Sequence, residues 1–267
     1  MIIIVQPYYK NNNVELNQCD NLELLKELPD DYIDLIYCDI LYGTGRNFGE
    51  YKDIKSDKNI INEFYIPRIK EMNRVLKDTG NIILHMDDRI NHWIRNICDD
   101  IFGYKNFKNE IVWGYLSGGS TRKYLPKKHE YLIWYTKSDN YTFNPIFKEY
   151  SDKVKVRNGC GFDKQAKGYG CKEEGTPIVD WWIDIEKVLN YKMSEYTGYP
   201  TQKSKQLLER VIKLFSNEND IILDCFMGSG TTGEVAIQLG RRFIGCDIGD
   251  KACEITKSRI EKVIENV

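Results

Sequence analysis

IILDCFMGSGTTGEVAIQLGRRFIGCDI, residues 221–248, is the stretch on which the reading of this chain turns. Ile221, Ile222 and Leu223 make a short buried strand, and the glycines at 228, 230 and 233 let the backbone turn tightly and approach a ligand. Thr231 and Thr232 open a helix that runs through Val235, Ala236, Ile237 and Leu239 to a stop at Gly240. Residues 242–246 return as a second strand ending in Asp247. Strand, glycine turn, helix and strand in this order make a nucleotide-type cofactor site, with an acid placed to meet a ribose.

Gly228-Ser-Gly-Thr-Thr-Gly233 matches the dinucleotide fingerprint GxGxxG, and Asp247 falls near the distance expected of a ribose acceptor. Asp224 argues against a dinucleotide. A carboxylate at the strand end just ahead of the glycines repels a pyrophosphate and attracts an amino or sulfonium group. A phosphate-binding P-loop fails because its lysine position holds Glu234. A turn that binds nothing would leave the run of small polar residues and its two flanking acids without a purpose.

Outward from this unit, the composition is that of an ordinary globular protein: 267 residues, 42% apolar and 29% charged, enough for one large domain or a core domain with an inserted module. No run of 18 apolar residues exists, and MIIIVQPYYKNNN has neither a basic start nor a small-residue cleavage site, so a cytoplasmic location is the expectation. Eight cysteines without a CxxC pair read as reduced small hydrophobes. Three histidines without an HxxxH pattern do not call for a metal. The net charge of −2 conceals a division, because residues 104–172 carry 14 Lys and Arg against 6 Asp and Glu, leaving 24 against 34 elsewhere. A basic segment on an acidic body is either a solvated loop-rich face or the footprint of a polyanionic partner, and charge alone does not choose between them.

Upstream, residues 14–19 alternate like a strand ending at Asp20, and NLELLKELPDD is a short helix closed by Pro29. Residues 34–38 form a strand ending in Asp39-Ile-Leu-Tyr-Gly-Thr-Gly45. A helix is predicted over 64–76, with Pro67 in its first turn, then a turn at Asp78-Thr-Gly80 and a strand over 81–86 ending at Asp87. A helix over 90–101 and strands over 110–113 and 131–135 follow, the strands flanking a loop over 116–129. Apolar runs thus end in aspartate at 39, 87, 224 and 247, and a parallel sheet brings its strand ends to one edge. Asp87 reads as a solvated strand end, while the glycine turn between Asp224 and Asp247 favours cofactor binding. Right-handed crossovers make the fold an α/β, doubly wound, mostly parallel sheet.

Periodicity fails over 141–199, where glycine, lysine and aromatics dominate, so this stretch reads as an inserted module or binding surface. Lysines beside Tyr, Phe and Trp suit nucleic acid, cations taking phosphates and rings taking bases. Trp181 and Trp182 read as core. A helix over about 203–215 leads back to the cofactor strand.

Taken together, the motifs and their order resemble the β-class DNA amino-methyltransferases, which methylate adenine N6 or cytosine N4 with S-adenosylmethionine. DILY at 39–42 stands where that family has its DPPY-type motif, the basic region follows, and Phe226-Met-Gly-Ser-Gly230 stands for the cofactor motif FxGxG. GYPTQKS at 198–204 resembles the family's HPTQKP segment, with Ser204 in place of proline, and RVLKDTGNIILHMD at 74–87 resembles its sheet strand and leading helix. The resemblance implies a Rossmann-like catalytic domain from 1–113 and 200–267, with a target-recognition region over 114–199.

It also implies roles. Asp224, Phe226, Gly228, Ser229, Gly230 and Thr231 would line the methionine end of the cofactor, with Asp39 alongside. Asp247 would hold the ribose, Asp20 would approach the adenine, and Thr201 and Lys203 would meet the carboxylate. Asp39 and the Ile40 carbonyl would accept the N–H groups of the target amine, with Tyr42 stacked on a flipped base. Arg122, Lys123, Lys127 and Lys128 would contact double-stranded DNA. A homodimer and a cognate restriction endonuclease are the further partners such an enzyme implies. The family's first motif residue is usually Asp in adenine enzymes and Ser in cytosine N4 enzymes, which points to site-specific adenine N6 methylation, with cytosine N4 as the alternative.

The departure lies at 40 and 41, where the family's two prolines are Ile and Leu. Prolines fix φ and remove two N–H groups, whereas Ile40 keeps its carbonyl without that rigidity. A misplacement of about 1 Å can cost on the order of 100-fold in rate. A catalytically impaired protein that binds DNA and cofactor is therefore a second alternative, and an NAD-type oxidoreductase a distant one.

Overall fold

The computed structural model describes residues 6–49, 51–116, 120–150, 174–188 and 194–265. Strands β1 (Pro7–Lys10), β2 (Val14–Gln18), β3 (Ile33–Asp39), β4 (Leu76–Met86), β5 (Phe107–Gly114), β6 (His129–Thr136), β9 (Trp181–Trp182), β10 (Ile221–Asp224) and β11 (Arg242–Asp247) form one sheet. Their order is β1-β2-β11-β10-β3-β4-β6-β5-β9, and the run from β2 to β4 is parallel. β7 (Phe147–Lys148) and β8 (Thr176–Pro177) pair separately. The helices are α1 (Asn21–Glu27), α2 (Lys58–Val75), α3 (Asn91–Phe102), α4 (Lys205–Phe215), α5 (Thr231–Gln238) and α6 (Asp250–Glu265). None is long and apolar enough to cross a membrane.

β3 shows why the sheet is covered on both faces. Ile36 and Cys38 pack with Leu24 of α1, Ile69 of α2 and Ile94 of α3, whereas Leu35 and Tyr37 pack with Val211 of α4, Ala236 of α5 and Ile260 of α6. A strand apolar on both faces is the mark of a buried parallel strand. β3 and β10 are neighbours at the centre, yet the chain crosses from β3 to β4 on one side and from β10 to β11 on the other. Their carboxyl ends diverge there, which opens a crevice at the switch point.

Several local expectations change. α2 begins at Lys58, not 64, because Asp57 caps it by accepting from the amides of Asn59 and Ile60. Pro67 therefore lies mid-helix, and Glu63, whose carbonyl it deprives of a donor, sits on the exposed face. The predicted turn at 78–80 is absorbed into β4 as an irregularity, since Ile33 pairs with Leu76 but Leu35 pairs with Asn81. β1 carried no recognised signal; it is an antiparallel edge strand beside β2. Of the two tryptophans expected in the core, Trp182 is buried while Trp181 is 58% exposed, as alternation along β9 requires. Within the region predicted over 114–199, β6 and β9 join the main sheet. The lysine-rich residues 153–172 lie outside the described residues.

Candidate active site

The glycine turn is built by packing as much as by any ligand. Asp224, at the end of β10, is buried and accepts from the Phe226 amide at 3.0 Å and the Thr232 hydroxyl at 2.6 Å. Burial pushes its carboxyl up to about 7. Gly230 precedes α5 at φ +72°, and a Cβ there would lie 2.4 Å from Thr256 Oγ1 of α6. A Cβ on Gly233 would lie 2.5 Å from the Phe243 ring of β11. These two glycines bring α5 down onto its neighbours. Asp247 accepts from the Gly228 amide at 3.0 Å and the Gly249 amide at 2.9 Å, and burial raises its pKa.

Across the crevice, Asp39 ends β3. Its Oδ1 accepts from the Tyr42 hydroxyl at 2.7 Å and its Oδ2 from Lys203 Nζ at 2.5 Å. Lys203, expected to face a cofactor carboxylate, places its buried ammonium on the Asp39 carboxylate. Burial lowers the Lys203 pKa, but Asp39 and Glu130 more than reverse this, so it is raised.

Glu130 of β6 was not anticipated. It is buried, and Tyr42 Oη stands 3.0 Å from Oε2, Tyr115 Oη 3.2 Å from Oε1 and Lys187 Nζ 2.5 Å from Oε1. His85 Nε2 lies 3.0 Å from Oε2 but off the line of a hydrogen bond, while its Nδ1 meets the Tyr37 hydroxyl at 2.9 Å. Burial alone would push the Glu130 carboxyl up, but Lys203, His85 and Lys187 hold it well below the usual carboxylate range. One phenolic proton on Tyr42 faces two carboxylates, and the Lys203 ammonium stands between them, 2.5 Å from Asp39 and 3.8 Å from Glu130. The sequence signal was slight: one acid inside the apolar strand HEYLIWY.

A cavity of about 250 Å³ lies between these two walls. Asp20, Asp39, Ile40, Tyr42, Thr201, Lys203, Phe226 and Asp247 all line it. Asp224, Ser229 and Thr231 line an adjoining recess of about 40 Å³ that shares Asp39, Thr201, Lys203 and Phe226. Of the predicted cofactor residues, Gly228 and Gly230 supply the turn itself. Asp20 also caps α1 through the Leu22 amide and accepts twice from Arg68, at 2.9 and 2.6 Å. Asp87, expected in solvent, is paired with Arg89, and burial raises its pKa.

The predicted DNA contacts sit on the β5–β6 loop. β6 runs antiparallel to β4 and begins beside Met86, which puts this loop on the cavity's edge of the sheet. Arg122 and Lys123 are exposed, Lys127 pairs with Asp88 at 2.5 Å, and Lys128 is half-buried.

Comparison with known proteins agrees with this geometry. The family model described as DNA methylase matches residues 33–258. The chain is 34% identical over 251 residues to the DNA adenine methyltransferase YhdJ of Escherichia coli K12, covering 91% of this chain and 81% of that protein. Among solved structures, the PvuII DNA methyltransferase (cytosine-N4-specific) superposes with a TM-score of 0.68 at 16% identity, covering 98% of this chain and 93% of that one. The M1.HpyAVI–SAM complex superposes with a TM-score of 0.57 at 22% identity, covering 92% and 99%.

Proposed function

We propose, from the premise that this chain belongs to the DNA methylase family, that it transfers a methyl group from S-adenosylmethionine to the exocyclic N6 amine of adenine in duplex DNA. The observation that carries this is the placing of Asp39 and Tyr42, 2.7 Å apart, in one cavity with Phe226 and Asp247 of the glycine-turn unit. YhdJ, the relative described above, is by its name an adenine enzyme.

The cavity suits this cofactor on its own chemistry. Asp20, Asp39, Asp53 and Asp247 line it against Lys52 and Lys203, and the excess of carboxylates favours a cationic ligand over a pyrophosphate. Phe226 offers an apolar face, Asp247 an acceptor for ribose hydroxyls, and Asp224 and Thr231 border the methionine end. When bound, S-adenosylmethionine supplies an electrophilic methyl group on a sulfonium. No metal is needed for that chemistry.

The chain's own residues act on the amine. An exocyclic amine is a poor nucleophile because its lone pair is delocalised into the ring, and acceptors on both N–H groups favour the pyramidal, nucleophilic form. Asp39 accepts one N–H and the Ile40 carbonyl the other. Tyr42 presents its ring to the extruded base, while its hydroxyl holds Asp39 in orientation. Arg122 and Lys123 take phosphates at the rim.

Incubation with duplex DNA and methyl-labelled S-adenosylmethionine, followed by digestion to nucleosides and chromatography, tests the proposal. The label should appear in N6-methyladenine. Label in N4-methylcytosine would overturn the choice of base, and no incorporation at all would overturn the activity.

A further inference from the structure

Ile40 and Leu41 stand where ring-locked prolines were expected, yet the segment is held at four points. The Ile40 N–H, a donor that proline lacks, bonds the His85 carbonyl at 3.1 Å and prolongs the β3–β4 ladder. The Tyr65 hydroxyl of α2 donates to the Leu41 carbonyl at 2.8 Å. Just beyond Tyr42, the Gly43 amide donates to Asp53 Oδ1 at 3.1 Å and the Thr44 amide to Asp53 Oδ2 at 2.8 Å, with the Thr44 hydroxyl on the same oxygen at 2.5 Å.

Asp53 is only 4% exposed, and none of the sequence motifs includes it. It sits on the returning arm of a small hairpin, where Thr44 bridges Lys55 and the Asp53 amide donates to Arg46 O at 2.8 Å. A buried carboxylate gripping two successive amides fixes the direction of the peptides before them, because each charge-assisted bond is short and directional. Gly43 completes the turn at φ +73°, and a Cβ there would come 2.9 Å from Ile90. Among the described residues no hydrogen bond takes up the Ile40 carbonyl, and Ile40 lines the cavity.

We infer that Asp53 is a positioning residue for methyl transfer: by holding the Gly43 and Thr44 amides, with Tyr65 on the Leu41 carbonyl, it aims the Ile40 carbonyl at the target amine in place of two prolines. The inference rests on the proposed function for its chemical purpose. Its physical content, a motif held by hydrogen bonds to distant residues, is independent of turnover.

The test uses the full chain, with Asp53→Asn as an isosteric variant and Tyr65→Phe as a second that deletes one hydroxyl. Each is made in the parent and in an Ile40→Pro/Leu41→Pro background. Hydrogen exchange of the 40–44 amides is read first: Asp53→Asn should speed exchange at Gly43 and Thr44 while the thermal midpoint stays near that of the parent. Unchanged protection there overturns the inference whether or not the parent methylates DNA, so its failure is told apart from failure of the activity. Single-turnover methylation at saturating cofactor is read second. Asp53→Asn should slow the parent by about 10-fold or more, with cofactor Kd changed by no more than about 2-fold, and the loss should shrink to about 3-fold or less in the Pro-Pro background. An equal loss in both backgrounds would make Asp53 merely structural and overturn the inference.

Discussion

The two walls of the crevice are built by different means. On the β10–α5–β11 side, glycines and acids within 28 consecutive residues, 221–248, set the turn. On the β3 side, the short stretch 39–44 is held by residues from four other parts of the chain: Asp53, Tyr65, Glu130 and Lys203. A locally encoded wall tolerates changes elsewhere, whereas a wall assembled at long range fails when any one tie is cut. The experiments below press on that difference.

The largest effect is expected on the long-range side. Glu130→Ala would leave Lys187 without its partner and Lys203 with Asp39 as its one remaining carboxylate, and breaking a buried ion pair in this way costs about 3 to 5 kcal/mol. Denaturant unfolding should show that loss, and Glu130→Gln, which keeps the shape, should lose less. The depressed pKa of Glu130 adds a direction: its contribution is present above the ordinary carboxylate range and is lost as pH falls through its folded-state pKa. A Glu130→Ala variant as stable as the parent would show that the network is not structural.

The glycine-turn side should respond in the opposite sense. The Asp224 carboxyl is raised from 3.8 to about 7, so its protonated form suits the fold and its contribution is lost as pH rises between those values. Asp224→Asn should therefore gain on the parent, by on the order of 2 to 4 kcal/mol, between pH 4 and pH 8. Thermal or urea unfolding of both proteins across that range measures it. A difference that does not change with pH would mean that Asp224 is ionised without penalty.

The smallest effect belongs to the rim. If Arg122 and Lys123 each neutralise one phosphate, replacing both by alanine should flatten the salt dependence of DNA binding by about 0.9 per residue in log–log slope. A slope unchanged from the parent would return these residues to a solvated face.

What could be read from the sequence follows the same division. The β10–α5–β11 unit and the parallel sheet were legible because strand period, helix period and glycine turns are local signals; Asp39 and Asp247 stood out as acids at strand ends, and Tyr42 only through the resemblance of DILY to the DPPY-type motif, and all three line the cavity. Even there the purpose of the glycines was half hidden, since contact with Thr256 and Phe243 depends on how α5 packs. The first turns of α2 were missed because the Asp57 cap precedes a polar run without a clear apolar stripe. Glu130, Asp53 and Tyr65 were not legible at all. Their partners lie 88, 10 and 24 positions away, and a lone acid in a strand looks the same whether it faces water or a lysine. Lys203 was singled out, but its pairing with Asp39 depends on two segments 164 positions apart.

The central claim is that Asp39 prepares the target amine, and Asp39→Asn tests it most directly. Asparagine keeps the size and one acceptor oxygen but removes the charge opposite Lys203. Single-turnover methylation of duplex DNA, with cofactor affinity measured alongside by calorimetry, should show a rate at least about 100-fold below the parent's with cofactor still bound. A variant that methylates as fast as the parent would contradict the account.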